Sequence, residues 1–278
     1  MIPLAEINQA AEKYHVPAET IEKDYVICWI LHCLSASKLK DDFVFYGGTA
    51  IKRMYFEDHR FSEDIDLISA KAQTQDFLIA ELRKQLSKAK ELVNLAMTVN
   101  PDRTLSSGTR TQIFVEYSGY DEIIGAPKEI RFDFAMDMDL YGDKEEGRLF
   151  ESYSDLKGKK GAFPVMTLNT ILTGKLGLLM SSTRKEPRDV YDIWFLLNRL
   201  DQFKFNMKAM QKAFKQKQGF YAASAVLKPH LNNRLYKDRW EIRLSKQIAQ
   251  LPAVEDVLKD IELRLNGLFG ETLNDSSM

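Results

Sequence analysis

The stretch from Phe43 to Leu67 constrains this chain more than any other. Phe43, Val44, Phe45 and Tyr46 are aromatic or β-branched and end at Gly47 and Gly48, which reads as a buried strand entering a tight turn. Residues 50–56 are helix-compatible, so the order is strand, Gly-Gly turn, helix. Glycines at such a turn let the backbone approach a ligand closely, and a helix start offers unpaired N–H groups. Gly47, Gly48 and Thr49 therefore outline a phosphate site. Asp64, Ile65, Asp66 and Leu67 then alternate with period two, so a strand here sends both carboxylates from one face and both apolar side chains from the other. Adjacent carboxylates repel unless a cation lies between them. Hard oxygen ligands suit Mg²⁺, with Mn²⁺ as a substitute, and Mg²⁺ binds through one or two carboxylates together with substrate phosphates. The combination predicts a metal-assisted phosphoryl- or nucleotidyl-transfer site.

At 278 residues, 45% hydrophobic and 28% charged, the chain holds ample core for one large domain or two ordinary ones. It shows no long uncharged apolar run, and its start lacks a signal peptide's basic and apolar regions. The expectation is a cytoplasmic protein with no membrane partner. Cys28 and Cys33 fall in one predicted helix, off a Cys-x-x-Cys spacing, and the four histidines are scattered, which argues against a disulfide framework, zinc and a Ser-His-Asp triad.

Residues 17–34 read as a helix opened by Pro17, with Glu22, Lys23 and Asp24 on a solvated face. A polar helix is predicted over 74–92, then strands over 95–99, 112–117 and 129–134, with turns at Pro101-Asp102 and at Ser106-Ser107-Gly108. In the last strand Arg131, Asp133 and Ala135 share one face and Phe132 and Phe134 the other. Residues 142–161 read as a loop, or a loop and a short strand, ending the first domain, and helices follow from Pro164 onward. Two domains are expected, 1–165 and 166–278. In the second, Lys175 has Ile171 and Leu172 behind it and Leu178 and Leu179 ahead, so its ammonium projects inward and has to meet an anion. Asp189 stands in the first turn of a helix opened by Pro187, and Asp192, with Phe195 and Leu196 ahead, lies at that helix's apolar boundary.

Gly47-Gly48-Thr49-Ala50 followed by Arg60, Phe61, Ser62, Glu63, Asp64, Ile65, Asp66 and Leu67 resembles the AbiEii/AbiGii toxin family, including the MenT toxins, of the nucleotidyltransferase superfamily. The later Lys175 helix and the Arg188-Asp189…Asp192 helix resemble that family's further motifs, so the likeness runs from about residue 21 to residue 200. It implies an α/β (α+β) fold: a DNA polymerase β-like core with a small mixed sheet, followed by a helical C-terminal domain. It also implies transfer of a nucleoside monophosphate from an NTP, with Asp64 and Asp66 on the metal, Asp133 (or its neighbours Asp137 and Asp139) as a third carboxylate, and Gly47, Gly48, Thr49, Arg60 and Ser62 around the nucleotide. Lys175 and Asp192 are carried over as catalytic, with Arg184 and Asp189 as companions. A toxin role implies a neighbouring antitoxin protein, and some relatives act on the tRNA acceptor end.

The net charge of −1 hides a segregation: residues 203–248 carry eight Lys and three Arg against Asp238 and Glu241. Such asymmetry points to an anionic partner. Arg239, Arg243 and Lys246, interleaved with Tyr236 and Trp240, are the expected RNA-acceptor residues, phosphates meeting the cations and bases the aromatics. Lys208, Lys212 and Lys215 at helical spacing read as a solvated face. Two other classes stay open: an enzyme of the same fold acting on protein hydroxyls, and a non-catalytic NTP- or RNA-binding module.

Overall fold

Period-two runs separated by helices build one mixed sheet of seven strands among the described residues. These are β1 Val44–Tyr46, β2 Asp64–Ile68, β3 Met97–Ser107, β4 Arg110–Tyr117, β5 Glu129–Ala135, β6 Lys144–Arg148 and β7 Ala162–Met166, in the order β3-β4-β5-β2-β1-β7-β6. The computed structural model describes residues 1–123, 128–136 and 142–270. Asp137 and Asp139 lie outside them. β2 runs antiparallel to β1 and parallel to β5, which sets Asp66 opposite Tyr46 on one side and Asp133 on the other. Ile65, Leu67, Phe132 and Phe134 all point into the core at no more than 1% exposure, so the carboxylates of the same strands leave the opposite face.

Among the described residues the same part of the chain carries the helices α1 Leu4–Tyr14, α2 Ala18–Leu34, α3 Leu39–Asp42, α4 Gly47–Ala50 and α5 Gln75–Val93. α4 continues as a π turn over Ile51–Tyr55. Thr74 caps α5 by accepting the Phe77 N–H, and Asn94 ends it at φ 55°. α2 is enclosed by α1, α5 and β5. That enclosure overturns the expectation of a solvated Glu22–Asp24 face, because Glu22 is 1% and Asp24 3% exposed. Glu22 accepts the Tyr120 N–H at 2.6 Å and meets Lys128 at 3.3 Å. Asp24 pairs with Arg53 of the π turn at 3.4 Å and accepts the Tyr153 hydroxyl at 2.7 Å. Of two charges that look like surface in one dimension, Asp24 thus anchors the turn after the Gly-Gly pair and Glu22 holds the segment around Tyr120 and Lys128.

Two expectations change. Pro101 and Asp102 lie within β3, where the register against β4 shifts between Asn100 and Leu105. β3 ends the sheet, and an edge strand tolerates a residue without an N–H donor. The stretch from Pro164, expected to lead into helices, instead lies in β7 Ala162–Met166, pairing parallel to β1 at Phe45–Val165 and antiparallel to β6. Pro164 in a short apolar run disguised it.

The chain divides into two compact units. The first comprises Met1–Leu140, Lys144–Met166 and a short return, Lys246–Ala249. The second comprises Tyr141–Asp143, Thr167–Ser245 and Gln250–Met278. Its described helices are α6 Leu168–Leu179, α7 Pro187–Leu197, α8 Met207–Gln218, α9 Ser224–Leu227, α10 Arg234–Leu244 and α11 Val254–Phe269. α7, opened by Pro187 at its first turn, is the centre on which α6, α10 and α11 pack. No helix among the described residues is long and apolar enough to cross a membrane.

Breaking the Asp24–Arg53 pair from one side strands a guanidinium in the core, a change that costs about 3–5 kcal/mol. Asp24→Ala should therefore lower the urea midpoint by a corresponding amount. Asp24→Leu combined with Arg53→Met should recover most of the loss; failure to recover would show that the pair's hydrogen bonds, not its charge balance, matter.

Candidate functional site

The first cluster is built by the turn between β1 and α4. Gly47 adopts φ +83°, a left-handed conformation that side chains disfavour. A Cβ built there would lie 2.3 Å from Asp66 Oδ2, so the bare backbone of Gly47 lies against that carboxylate. Thr49 ties the helix to the start of β2: its hydroxyl bonds the Ser62 hydroxyl at 2.7 Å and donates to the Asp64 carbonyl. Thr49 is 2% exposed, so its side chain shapes the turn rather than presenting itself to solvent.

On the sheet's carboxylate face Asp64, Asp66 and Asp133 are all partly exposed, with Asp66 opposite Asp133 in the parallel β2–β5 register. Asp64 Oδ2 is 2.5 Å from the Arg131 guanidinium, and Asp133 Oδ2 accepts from Gln112 at 3.1 Å. Arg131 is a site residue to which sequence reasoning gave a face but no role. Its partnership with Asp64 depends on β2 and β5 being neighbours, which β strands so distant in sequence do not announce. Arg60, 4% exposed, donates to the Phe61 carbonyl at 3.1 Å and to Gln247 Oε1 at 3.0 Å. The Phe61 N–H donates in turn to the Gln247 carbonyl at 3.0 Å, so the return segment pins the approach to β2.

Asp64 and Asp66 supply hard, anionic oxygens on one face, which fits a Mg²⁺ ion whose other positions go to water and phosphate. Among the described residues, no group of three or more His, Cys, Asp or Glu side chains is gathered closely enough to hold a metal by itself. A cavity of about 200 Å³ in the same unit is lined by Lys13, Tyr14, Asp24, Lys52, Arg53 and Phe61 among others, and neither Asp64 nor Asp66 contributes to it. Burial there pushes the Lys52 ammonium down to about 8.

The second cluster lies wholly within the helical unit. Lys175 of α6 meets two carboxylates of α7, Asp189 at 2.5 Å and Asp192 at 2.8 Å. Side-chain exposures of 10%, 6% and 0% make this a buried triad, and the inward-facing lysine does find its anion. Arg184 adds a hydrogen bond to Asp189 at 2.8 Å. Burial alone would raise the Asp189 pKa, but the Lys175 and Arg184 charges outweigh it and hold the carboxyl below its usual range. Asp189 is thus a member of the cluster rather than only a helix-end charge.

The aromatics interleaved with the expected acceptor residues are enclosed by the fold. Tyr236 and Trp240 are 2% and 3% exposed, packed inside the helical unit, and therefore cannot stack on bases. The α10 spacing that suggested interleaved aromatics is the spacing of its core stripe. Arg243 pairs with Glu186 at 3.5 Å, and Lys246, in the first unit, pairs with Glu19 at 2.7 Å. Arg239 is exposed on α10.

Two variants probe the clusters. In Gly47→Ala the left-handed backbone costs about 1–2 kcal/mol, and the new methyl displaces the Asp66 carboxylate. Nucleotide affinity, measured by equilibrium dialysis, should fall far more than the unfolding curve moves; an equal-affinity protein would show that Asp66 need not sit against the turn. Lys175→Met leaves two buried carboxylates with less compensation and should cost about 3–5 kcal/mol. The Asp189 pairing stabilises above the unfolded carboxylate pKa and is lost as pH falls through its lowered folded value. Thermal unfolding at neutral pH should show the Lys175→Met loss, and the gap to the parent should close at strongly acid pH.

A profile for nucleotidyl transferase AbiEii toxins of type IV toxin–antitoxin systems matches residues 29–260. Among solved structures, JHP933 from Helicobacter pylori superposes with a TM-score of 0.60 at 14% identity over 91% of this chain and 93% of that one. A putative nucleotidyltransferase from H. pylori gives 0.59 at 14% identity, over 94% and 99%. These likenesses support the mixed α/β nucleotidyltransferase fold. No curated protein sequence matches this chain. With the profile covering most of its length, the chain belongs to the AbiEii nucleotidyltransferase toxin family.

Proposed function

We propose that this protein transfers a nucleoside monophosphate from an NTP to a hydroxyl of RNA, with a tRNA end as the expected acceptor, and releases pyrophosphate. The observation that supports the reading is the contact of the Gly47 backbone with the Asp66 carboxylate, which sets the Gly-Gly turn beside the Asp64–Asp66 pair. Gly47 and Gly48 bring backbone without side chains to where a triphosphate would lie, while Thr49 and Ser62 hold that turn in shape. Asp64 and Asp66 would hold Mg²⁺, with Asp133 on the neighbouring strand, and the ion would supply charge neutralisation of the phosphates during in-line displacement. Arg131 beside Asp64, and Arg60 at the entry to β2, add positive charge to the same unit.

In the helical unit, Lys175 is the member of the triad with most exposure and the one suited to meet an anionic ligand. Asp192, with no exposed side chain, acts on the reaction by holding Lys175 charged and in place. As a toxin of a type IV system, the protein acts opposite an antitoxin partner, and its growth inhibition follows from acceptor ends blocked by an added nucleotide.

Incubation of the purified protein with each α-labelled NTP, Mg²⁺ and total RNA or total protein tests this directly. Label should enter RNA with one NTP preferred, vanish with EDTA, and be absent with a folded Asp66→Ala protein. Label in protein bands would replace RNA by a protein hydroxyl as acceptor. Full activity of Asp66→Ala would remove the two-carboxylate site altogether.

A further inference from the structure

The longest acid-free run of the chain lies in the helical unit: no Asp or Glu occurs between Asp201 and Asp238, while Lys204, Lys208, Lys212, Lys215, Lys217 and Lys228 do. α8 sorts these residues by face. Met210, Ala213 and Phe214 are buried, and Lys208, Lys212 and Lys215 are exposed at intervals of four and three, spacing Lys208 and Lys212 about 6 Å along the axis. α8 packs on α6, where Gly177 leaves room for Gln218: a Cβ at 177 would fall 2.6 Å from its amide.

Where α8 ends, the chain does something the sequence did not suggest. Gly219, at φ +87°, turns the backbone back and presents Phe220 and Tyr221 to solvent at 40% and 49% exposure. The turn is clamped rather than loose. Gln211 donates to the Ala222 carbonyl and accepts the Ala222 N–H, both at 2.8 Å. Phe220 rests edge-on against buried Phe214 at 6.1 Å, and the Lys215 ammonium lies 4.3 Å over the Tyr221 ring. Two exposed aromatic rings are thus held beside a lysine row, whereas the aromatics Tyr236 and Trp240 of α10 are buried.

We propose that the Lys208–Lys212–Lys215 face of α8 together with Phe220 and Tyr221 is the surface that grips a single-stranded segment of the RNA acceptor. Lysines follow the phosphates and the two rings take bases, the combination by which proteins hold single strands without reading sequence. The assignment rests on the RNA reading of the reaction, yet it is a statement about binding and is tested without turnover.

The test uses full-length protein carrying Asp66→Ala and a fluorescein-labelled oligouridylate, with binding followed by anisotropy at several salt concentrations. Lys208→Gln, Lys212→Gln and Lys215→Gln together should flatten the log–log salt slope by about 2, since each phosphate contact contributes about 0.7 on a single strand. Tyr221→Ala should weaken binding about tenfold with the slope unchanged, and Tyr221→Phe should restore it, because the ring and not the hydroxyl stacks. A fully paired RNA duplex should be insensitive to Tyr221→Ala. All substituted side chains are exposed, so circular dichroism should be unaltered. Unchanged affinity and slope in both variants would overturn the assignment, as would equal sensitivity of duplex and single strand. Loss of binding to polyglutamate with RNA binding intact would overturn it in favour of an acidic protein partner. If the parent protein never labels RNA but these binding results hold, the reaction reading fails and the surface stands.

Discussion

The contact between the Gly47 backbone and the Asp66 carboxylate is the constraint on which the first unit is arranged. It requires β1 and β2 to run antiparallel in the register that sets Tyr46 beside Asp66, and it requires that residue 47 have no side chain. The second tie, from Thr49 to Ser62 and to the Asp64 carbonyl, fixes how α4 leaves that point. Behind it, the buried Asp24–Arg53 pair fastens the π turn to α2. Each element that looks peripheral in sequence therefore bears on how closely the Gly47–Gly48 backbone approaches the acidic strand.

The parts legible in the sequence were those governed by short periods. Alternation at Asp64–Leu67 and at Arg131–Ala135 predicted which side chains share a face, because in a strand geometry leaves no other choice. Lys175 was legible as a buried cation since every helical neighbour is apolar, but its partners were not, lying across a turn on the next helix. Glu22 and Asp24 were misjudged because α2 is apolar on all sides, and a helix without a polar face gives no clue to which charges are enclosed. β7 was hidden by Pro164, and the exposure of Phe220 and Tyr221 by the fact that a reversal at Gly219 depends on a clamp eleven residues apart in sequence.

Both units bury charge. In each, the cost of desolvation is met by opposite charges and by hydrogen bonds to the remaining lone pairs: Tyr153 on Asp24, Arg184 on Asp189. Well-packed apolar residues would serve stability as well. What the pairs add is a fixed position for a cation, Arg53 behind the glycine turn and Lys175 in the helical unit, and position is what electrostatic catalysis draws upon.

The return segment Lys246–Ala249 has a bearing on the order in which this protein comes into being. Gln247 accepts from Arg60 and from the Phe61 N–H, and the Lys246 carbonyl accepts the Thr20 hydroxyl at 3.0 Å, so the first unit is closed by residues made after α6 to α10 of the second. A nascent chain stalled or cleaved before Lys246 lacks those acceptors next to its acidic strand. Domains ordinarily mature from the N-terminus as they leave the ribosome. Here the first unit waits for Lys246 and Gln247, so its closure follows the synthesis of α6 to α10 rather than preceding it.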